Sequence, residues 1–253
     1  MNILSLNFSN FNAVSSVKKP TFKQAAPNVY NSIPVHDEFV RSTGSLDIGR
    51  LKSLGISHFR LIDSNSVRGV TLANQRQSLL TELKECGVNT VIDLRPEGGD
   101  ASKYAEGCKN NGLNYFNLKI RDNMPIFNAP FTGKMSMQER REAIKKFVSQ
   151  MGDFFKIMDD GKVYMACLLG LHRTDLAVTM NYLLNPKEPT TPPTLSHMFF
   201  PEETNLTNKY IGKVKNMLKN LTPADREYLK MPEHFSDIFD ARVLKLRMMN
   251  KAK

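Results

Sequence analysis

The stretch KVYMACLLGLHRTDLAVTMNYLL, residues 162–184, decides the fold. KVYMA reads as a strand, and TDLAVTMNYLL, from Thr174 to Leu184, reads as an apolar helix. Between them lies C-x-x-G-x-x-R-T: Cys167, Gly170, Arg173 and Thr174 in a loop of five intervening residues. A loop wrapped ahead of a helix N-terminus turns backbone N–H groups inward and makes a pocket for a tetrahedral oxyanion. Leu168, Leu169, Gly170, Leu171, His172 and Arg173 would supply its lining. Gly170 admits the anion close to the backbone because no Cβ intervenes. Arg173 returns a planar fork to two of its oxygens. The same amides and the helix dipole favour the thiolate of Cys167, the nucleophilic form. Thr174 is placed to donate a hydrogen bond to the sulfur.

Outward from this loop the chain alternates. HFRLIDSNSVRG, residues 58–69, has the β-rich start and the Asn/Ser/Gly finish of a strand followed by a turn. LANQRQSLLTELKECG carries Leu72, Leu79, Leu80 and Leu83 roughly on one face and ends at Gly87, which suits a helix with a glycine cap. TVIDL, residues 90–94, is the short apolar run of a strand covered on both faces. A helix over about 101–111 stopping at Gly112, and a strand in NYFNLKI, repeat the order. After a loop with Pro125 and Pro130, a helix from about Ser136 carries the stripe Ile144, Phe147, Val148, Met151, Phe154, Phe155 and Met158. Strands alternating with helices argue for an α/β domain with a central, mostly parallel sheet flanked by helices.

The ends differ in composition. Residues 1–42, rich in Asn, Ser, Pro and Lys, read as a flexible leader; residues 43–190 hold the α/β domain. Beyond the proline-rich NPKEPTTPPT, residues 191–253 read as a helical C-terminal extension of two or three pieces packed on the core. The leader lacks the positive n-region of a Sec signal, which fits a cytoplasmic protein or one exported without that signal. No stretch nears the ~18 apolar residues of a membrane-spanning helix, though peripheral contact stays open.

The formal charge of +10 favours acidic partners. Nucleic acid is not expected, because no aromatic platform is interleaved with the basic residues. The three cysteines, Cys86, Cys108 and Cys167, include no C-x-x-C pair and no nearby histidine cluster, so neither a disulfide scaffold nor a metal site is expected, and no cofactor. Cys86 and Cys108 read as small core residues, with a reversible disulfide to Cys167 as the less favoured role.

CLLGLHRT resembles the signature loop of the cysteine-dependent tyrosine and dual-specificity phosphatases, and most of all the atypical plant-and-fungi-type branch, whose signature typically reads H-C-x-x-G-x-H-R-T-G. SVRGVTLANQRQSLLTELKECGVNTVIDLRPE is similar to the opening helix and following strand of that branch. The resemblance covers about residues 60–185. It implies a phosphatase-like fold and hydrolysis of a phosphomonoester through a cysteinyl-phosphate at Cys167. The implied substrate is a phosphorylated protein (tyrosine or serine/threonine) or a phosphoinositide. Ala166 stands where the family has His, Asp175 where Gly follows Arg-Thr, and Leu171 where a Lys is common. With Leu168 and Leu169 these leave the loop apolar and argue against the most highly charged substrates, such as inositol pyrophosphates.

The leaving oxygen needs a proton, which the family takes from an Asp on a loop after an earlier strand. Asp122 is the candidate, with a turn-forming role as the competing reading. Asp93 and Asp100 are weaker, and Asp93 suits a paired structural role inside a strand. His172 suits orientation of the loop. Arg68 and Arg95 read either as facing the pocket or as solvated at the surface. A phosphate-binding module that has lost turnover is the alternative function, and rhodanese-like sulfur transfer the remote one.

Overall fold

Short apolar runs separated by amphipathic segments must bury one face each, and the chain does so as a sheet between two layers of helices. The computed structural model describes residues 44–73, 78–95, 100–118, 136–187, 192–193, 195 and 204–251. Among them the strands are β1 (Arg60–Asp63), β2 (Ser66–Val70), β3 (Thr90–Asp93), β4 (Asn114–Asn117) and β5 (Val163–Cys167). The helices are α1 (Ile48–Ser53), α2 (Ser78–Glu85), α3 (Ala101–Asn110), α4 (Met137–Asp160), α5 (His172–Leu184), α6 (Thr204–Lys219), α7 (Pro223–Tyr228) and α8 (Phe235–Lys251). The sheet order is β1-β2-β5-β3-β4. Only β1 runs antiparallel, paired with β2; every other pairing is parallel. β5 is central, with Val163–Cys167 opposite Ser66–Val70 on one side and Val163–Ala166 opposite Thr90–Asp93 on the other.

Strand alternation divides the core in two. Val67, Val91, Tyr164 and Ala166 face a cluster with Leu79, Leu80 and Leu83 of α2, Tyr104 and Cys108 of α3 and Leu51 of α1. Ile92, Met165 and Cys167 face the opposite cluster, built from α4, α5 and the three C-terminal helices. In that second cluster Phe147 of α4 and Phe235, Phe239 and Leu246 of α8 are all essentially sealed from solvent. All five residues of β5 are buried, as a strand covered on both faces requires.

Most element readings hold, and three differ. Residues 58–69 form a hairpin rather than one strand and a turn: Ser64 and Asn65 make the turn, and Arg68 and Gly69 belong to β2. The glycine that reads as a turn residue is instead required by packing. A Cβ at Gly69 would lie 2.6 Å from the Tyr164 hydroxyl and 2.7 Å from Ile56 Cγ2. Leu72 is buried but lies ahead of α2 in irregular chain. The six-residue α1, capped by the Asp47 side chain accepting from the Arg50 amide, has no sequence period long enough to announce it.

Candidate active site

The C-terminal edge of β5 delivers Cys167 to the end of the sheet, where two neighbours fix it. The Thr71 amide donates to the Cys167 carbonyl at 2.8 Å, and the Leu94 amide donates to the Ala166 carbonyl at 2.8 Å. The chain then turns through Leu168, Leu169 and Gly170 into α5. Gly170 takes a left-handed backbone (φ 68°) and donates its amide to the Cys167 carbonyl at 3.3 Å. A Cβ there would lie 2.5 Å from the carbonyl carbon and oxygen of Gly69, so two glycines stack backbone to backbone. Conformation and contact both demand glycine at this corner.

Leu171 is the N-cap of α5 and offers no side-chain cap, so the first-turn amides receive no bond from the cap residue. His172 opens the helix; its side chain lies outside what is described. Arg173 follows, half-buried, and then Thr174 and Asp175, both completely buried. The Thr174 hydroxyl makes no hydrogen bond to a described protein group. Leu171 packs inward, whereas Leu168 and Leu169 are 56% and 53% exposed and form an apolar rim. Cys167, Gly170, Arg173 and Thr174 are thus gathered at one corner, where β5 passes into α5. Asp122 lies outside the described residues.

Neither of the two arginines near the loop is solvated at the surface; both are buried and bonded to carboxylates. Arg68 is fully buried in an ion pair with Asp175, which is equally buried. Arg95 donates to Asp93 through Nε (3.0 Å) and Nη2 (2.8 Å), and to Asp100 through Nη1 (2.7 Å). Its guanidinium lies 5.7 Å from the Tyr104 ring centroid. Burial alone would lower the Arg95 pKa, but the two carboxylates outweigh it and hold the guanidinium above its usual range. Asp93 has the paired role expected of it, also accepting from the Tyr115 hydroxyl at 2.9 Å. Asp100, bonded to Arg95, is held below the usual carboxylate range. A carboxylate so held is a poor proton donor near neutral pH.

Cys86 and Cys108 are buried on the α2–α3 face of the sheet, whereas Cys167 belongs to the opposite cluster. A disulfide between Cys167 and either one is therefore ruled out in this fold. Burial and the nearby Asp93 push the Cys108 thiol up to about 12, and burial raises Cys86 as well, so both suit the role of inert core residues. Among the described residues no cluster of His, Cys, Asp and Glu is fit to hold a metal. No described helix is long and apolar enough to cross a membrane.

No family model matches the chain, and no curated protein matches it. Among solved structures it is similar to a candidate phosphatase (DUF442) from Shewanella putrefaciens CN-32. The identity is 15% and the TM-score 0.43, over 68% of this chain and 96% of that one. It is also similar to the core catalytic domain of the PP-IP phosphatase SIW14 from S. cerevisiae, at 13% identity and a TM-score of 0.37, over 72% and 91% of the two chains. Likeness of this degree assigns neither a family nor an activity.

The sequence reading missed Gly69 and the partnership of Arg68 with Asp175. The signal for the first was a glycine inside a β-rich run, which marks close backbone approach. The signal for the second was a lone Asp in the first turn of an otherwise apolar helix, a position that burial permits only with a cation opposite.

Proposed function

We propose that the protein is a phosphomonoester hydrolase acting through a cysteinyl-phosphate intermediate. The observation that carries the reading is one corner of the fold: Cys167 at the end of the central strand, Gly170 left-handed, and α5 beginning without a side-chain cap. Arg173 clamps the phosphoryl oxygens and the loop amides take up the remaining charge. The thiolate sulfur attacks phosphorus, forming S–P as the ester P–O bond breaks. The leaving oxygen takes its proton from the general acid, for which Asp122 is the candidate. Water then attacks phosphorus, giving its proton to the carboxylate left by the first step; S–P breaks, the thiolate is restored and inorganic phosphate leaves. The unspent hydroxyl of Thr174 supports its role as donor to the departing sulfur.

The substrate class follows from charge and surface. Arg68 of β2 and Arg95 just past β3 are each bonded to carboxylates, and the rim leucines are exposed. This favours a single phosphate on an aromatic or apolar body, such as phosphotyrosine, over a polyphosphate.

The test is hydrolysis of a small aryl phosphate from pH 5 to 8 by wild type, Cys167→Ser and Asp122→Asn. Turnover by wild type, abolished in Cys167→Ser and inhibited by vanadate, is expected; full activity in Cys167→Ser would sink the mechanism. Loss of the basic limb in Asp122→Asn identifies the acid. Arg173-dependent phosphate binding without turnover would instead leave a phosphate reader.

A further inference from the structure

Asp175 presents a problem for any loop that binds anions. Its carboxylate is completely buried in the first turn of α5, two residues beyond Arg173. An uncompensated negative charge there opposes both a bound phosphoryl group and a cysteine thiolate. The fold meets it with Arg68, also fully buried, reaching from β2 to the Asp175 carboxylate. The position of Arg68 is fixed by the loop's own support. Gly170 lies against the backbone of Gly69, the next residue, and Val70 sits opposite Cys167 in the sheet register. Strand alternation sends Arg68 to the same face as its register partner Met165, and Met165 lies with Cys167 in the cluster packed against α5. The Asp175 amide in turn donates to the Leu171 carbonyl at 2.7 Å, tying the pair to the loop's last residue.

We infer that Arg68 is an electrostatic positioning residue of the Cys167 loop: it cancels the charge of Asp175, and the loop thereby keeps its affinity for anions. A buried ion pair is a costly way to join a strand to a helix, since apolar residues of similar volume serve stability as well or better. The pair is also felt beyond its partners. Arg60, opposite Arg68 on β1, is held below its usual pKa first by burial and then by Arg68, with Asp175 pulling the other way. Among the described residues the charged groups coupled at this junction include Arg60, Arg68 and Asp175, with Arg173 two residues ahead of Asp175 on the same helix, and removal of Arg68 takes from Asp175 the cation that β2 supplies.

The inference rests on the reading of the loop as an anion pocket, and its test is independent of turnover. Full-length protein is alkylated at pH 7 with anionic iodoacetate and, separately, neutral iodoacetamide. The rate at the Cys167 peptide is followed by mass spectrometry, with and without inorganic phosphate. The ratio of the two rates reports the field at the sulfur. Arg68→Met is expected to lower that ratio by about tenfold, the order of effect of shifting the balance by one unit charge at a partly desolvated loop, and to weaken phosphate protection. Arg68→Met/Asp175→Asn restores the ratio to within about threefold of wild type, because the charge to be cancelled is gone. Arg68→Lys keeps the ratio while lowering Tm. A merely structural pair gives a double variant no better than Arg68→Met, and that result overturns the inference, as does an unchanged ratio in folded Arg68→Met. Should Arg68→Met not fold, Asp175→Asn decides: its ratio rises several-fold, and an unchanged ratio overturns the inference. Wild type that hydrolyses aryl phosphate while the ratios stay flat leaves the phosphatase reading standing and removes this one. Ratios and phosphate protection that respond as expected in a protein without turnover do the reverse, and a wild type that phosphate does not protect overturns the inference.

Discussion

At the scale of single residues, the loop is defined by what cannot be exchanged. Gly170 combines a left-handed φ of 68° with backbone contact to Gly69 and Val70, so a methyl group meets main chain rather than a movable side chain. The left-handed conformation alone costs an alanine about 1–2 kcal/mol, and the overlap adds to it by displacing Gly69 or opening the turn. Gly170→Ala is therefore expected to lower stability by about 2–3 kcal/mol, read by urea unfolding. It should weaken vanadate binding by more than the stability loss explains, since the loop amides move; a variant with wild-type vanadate affinity contradicts this geometry. The need for glycine at this corner was legible in the C-x-x-G-x-x-R-T spacing. Its partner Gly69 was not, because a glycine among Asn and Ser reads as a turn and the aromatic hydroxyl that excludes a side chain there comes from Tyr164, far away in sequence. The same non-locality hid the Arg68–Asp175 pair.

At the scale of elements, legibility tracked length and local signalling. The start of α4 was readable to within about a residue because it is written locally. The Ser136 hydroxyl accepts from the Glu139 amide, and the Glu139 carboxylate accepts from the Ser136 amide at 2.8 Å, a reciprocal cap ahead of a long apolar stripe. Ser136→Ala is expected to cost about 1 kcal/mol, with urea midpoint as the readout and Ser136→Thr as the tolerated control. α7 repeats the device with Thr222 and Asp225. Here the cap is also tertiary: Arg141 of α4 donates to the completely buried Asp225 at 2.6 and 2.8 Å. Arg141→Met removes two charge-assisted bonds from a carboxylate that stays buried, and an expected loss of about 2 kcal/mol would be seen in the same unfolding assay. The α4–α7 contact was beyond sequence reading, since it joins segments 84 residues apart. β1 and β2 were blurred for the opposite reason: a two-residue turn left too little punctuation between two short strands.

At the scale of the whole molecule, the alternation of short strands and amphipathic helices was enough to give the parallel sheet, yet not the extent to which the last fifty residues complete its core. Asp100 shows how the surface contributes with pH. Its pKa is lowered chiefly by the hydrogen bond from Arg95, so its contribution is complete above the unfolded value of 3.8 and is lost as pH falls through the lowered folded value. Because the carboxylate is partly exposed, Asp100→Asn should cost only about 0.5 kcal/mol at pH 7, and the difference from wild type should vanish in acid; a difference that grows on acidification would refute the linkage. The C-terminal helices matter far more. Phe235 and Phe239 are sealed within the cluster that also holds Phe147, Met165 and Cys167, so α8 covers the same face of the sheet that carries the candidate nucleophile. Arg242 adds a bond to the Asn185 carbonyl, just past the end of α5, at 2.6 Å. Phe239→Ala is accordingly expected to cost about 3–5 kcal/mol, a large share of the stability of a domain this size. Truncation before α8 should leave protein that lacks a cooperative unfolding transition. The decisive comparison is with Leu244→Ala, a change of similar chemistry on the exposed side of the same helix, where the side chain is 59% accessible. If both variants unfold at the same urea concentration, α8 is an appendage; if only Phe239→Ala falls, the helix is part of the core that holds β5 and α5 together, and the corner containing Cys167 depends on it.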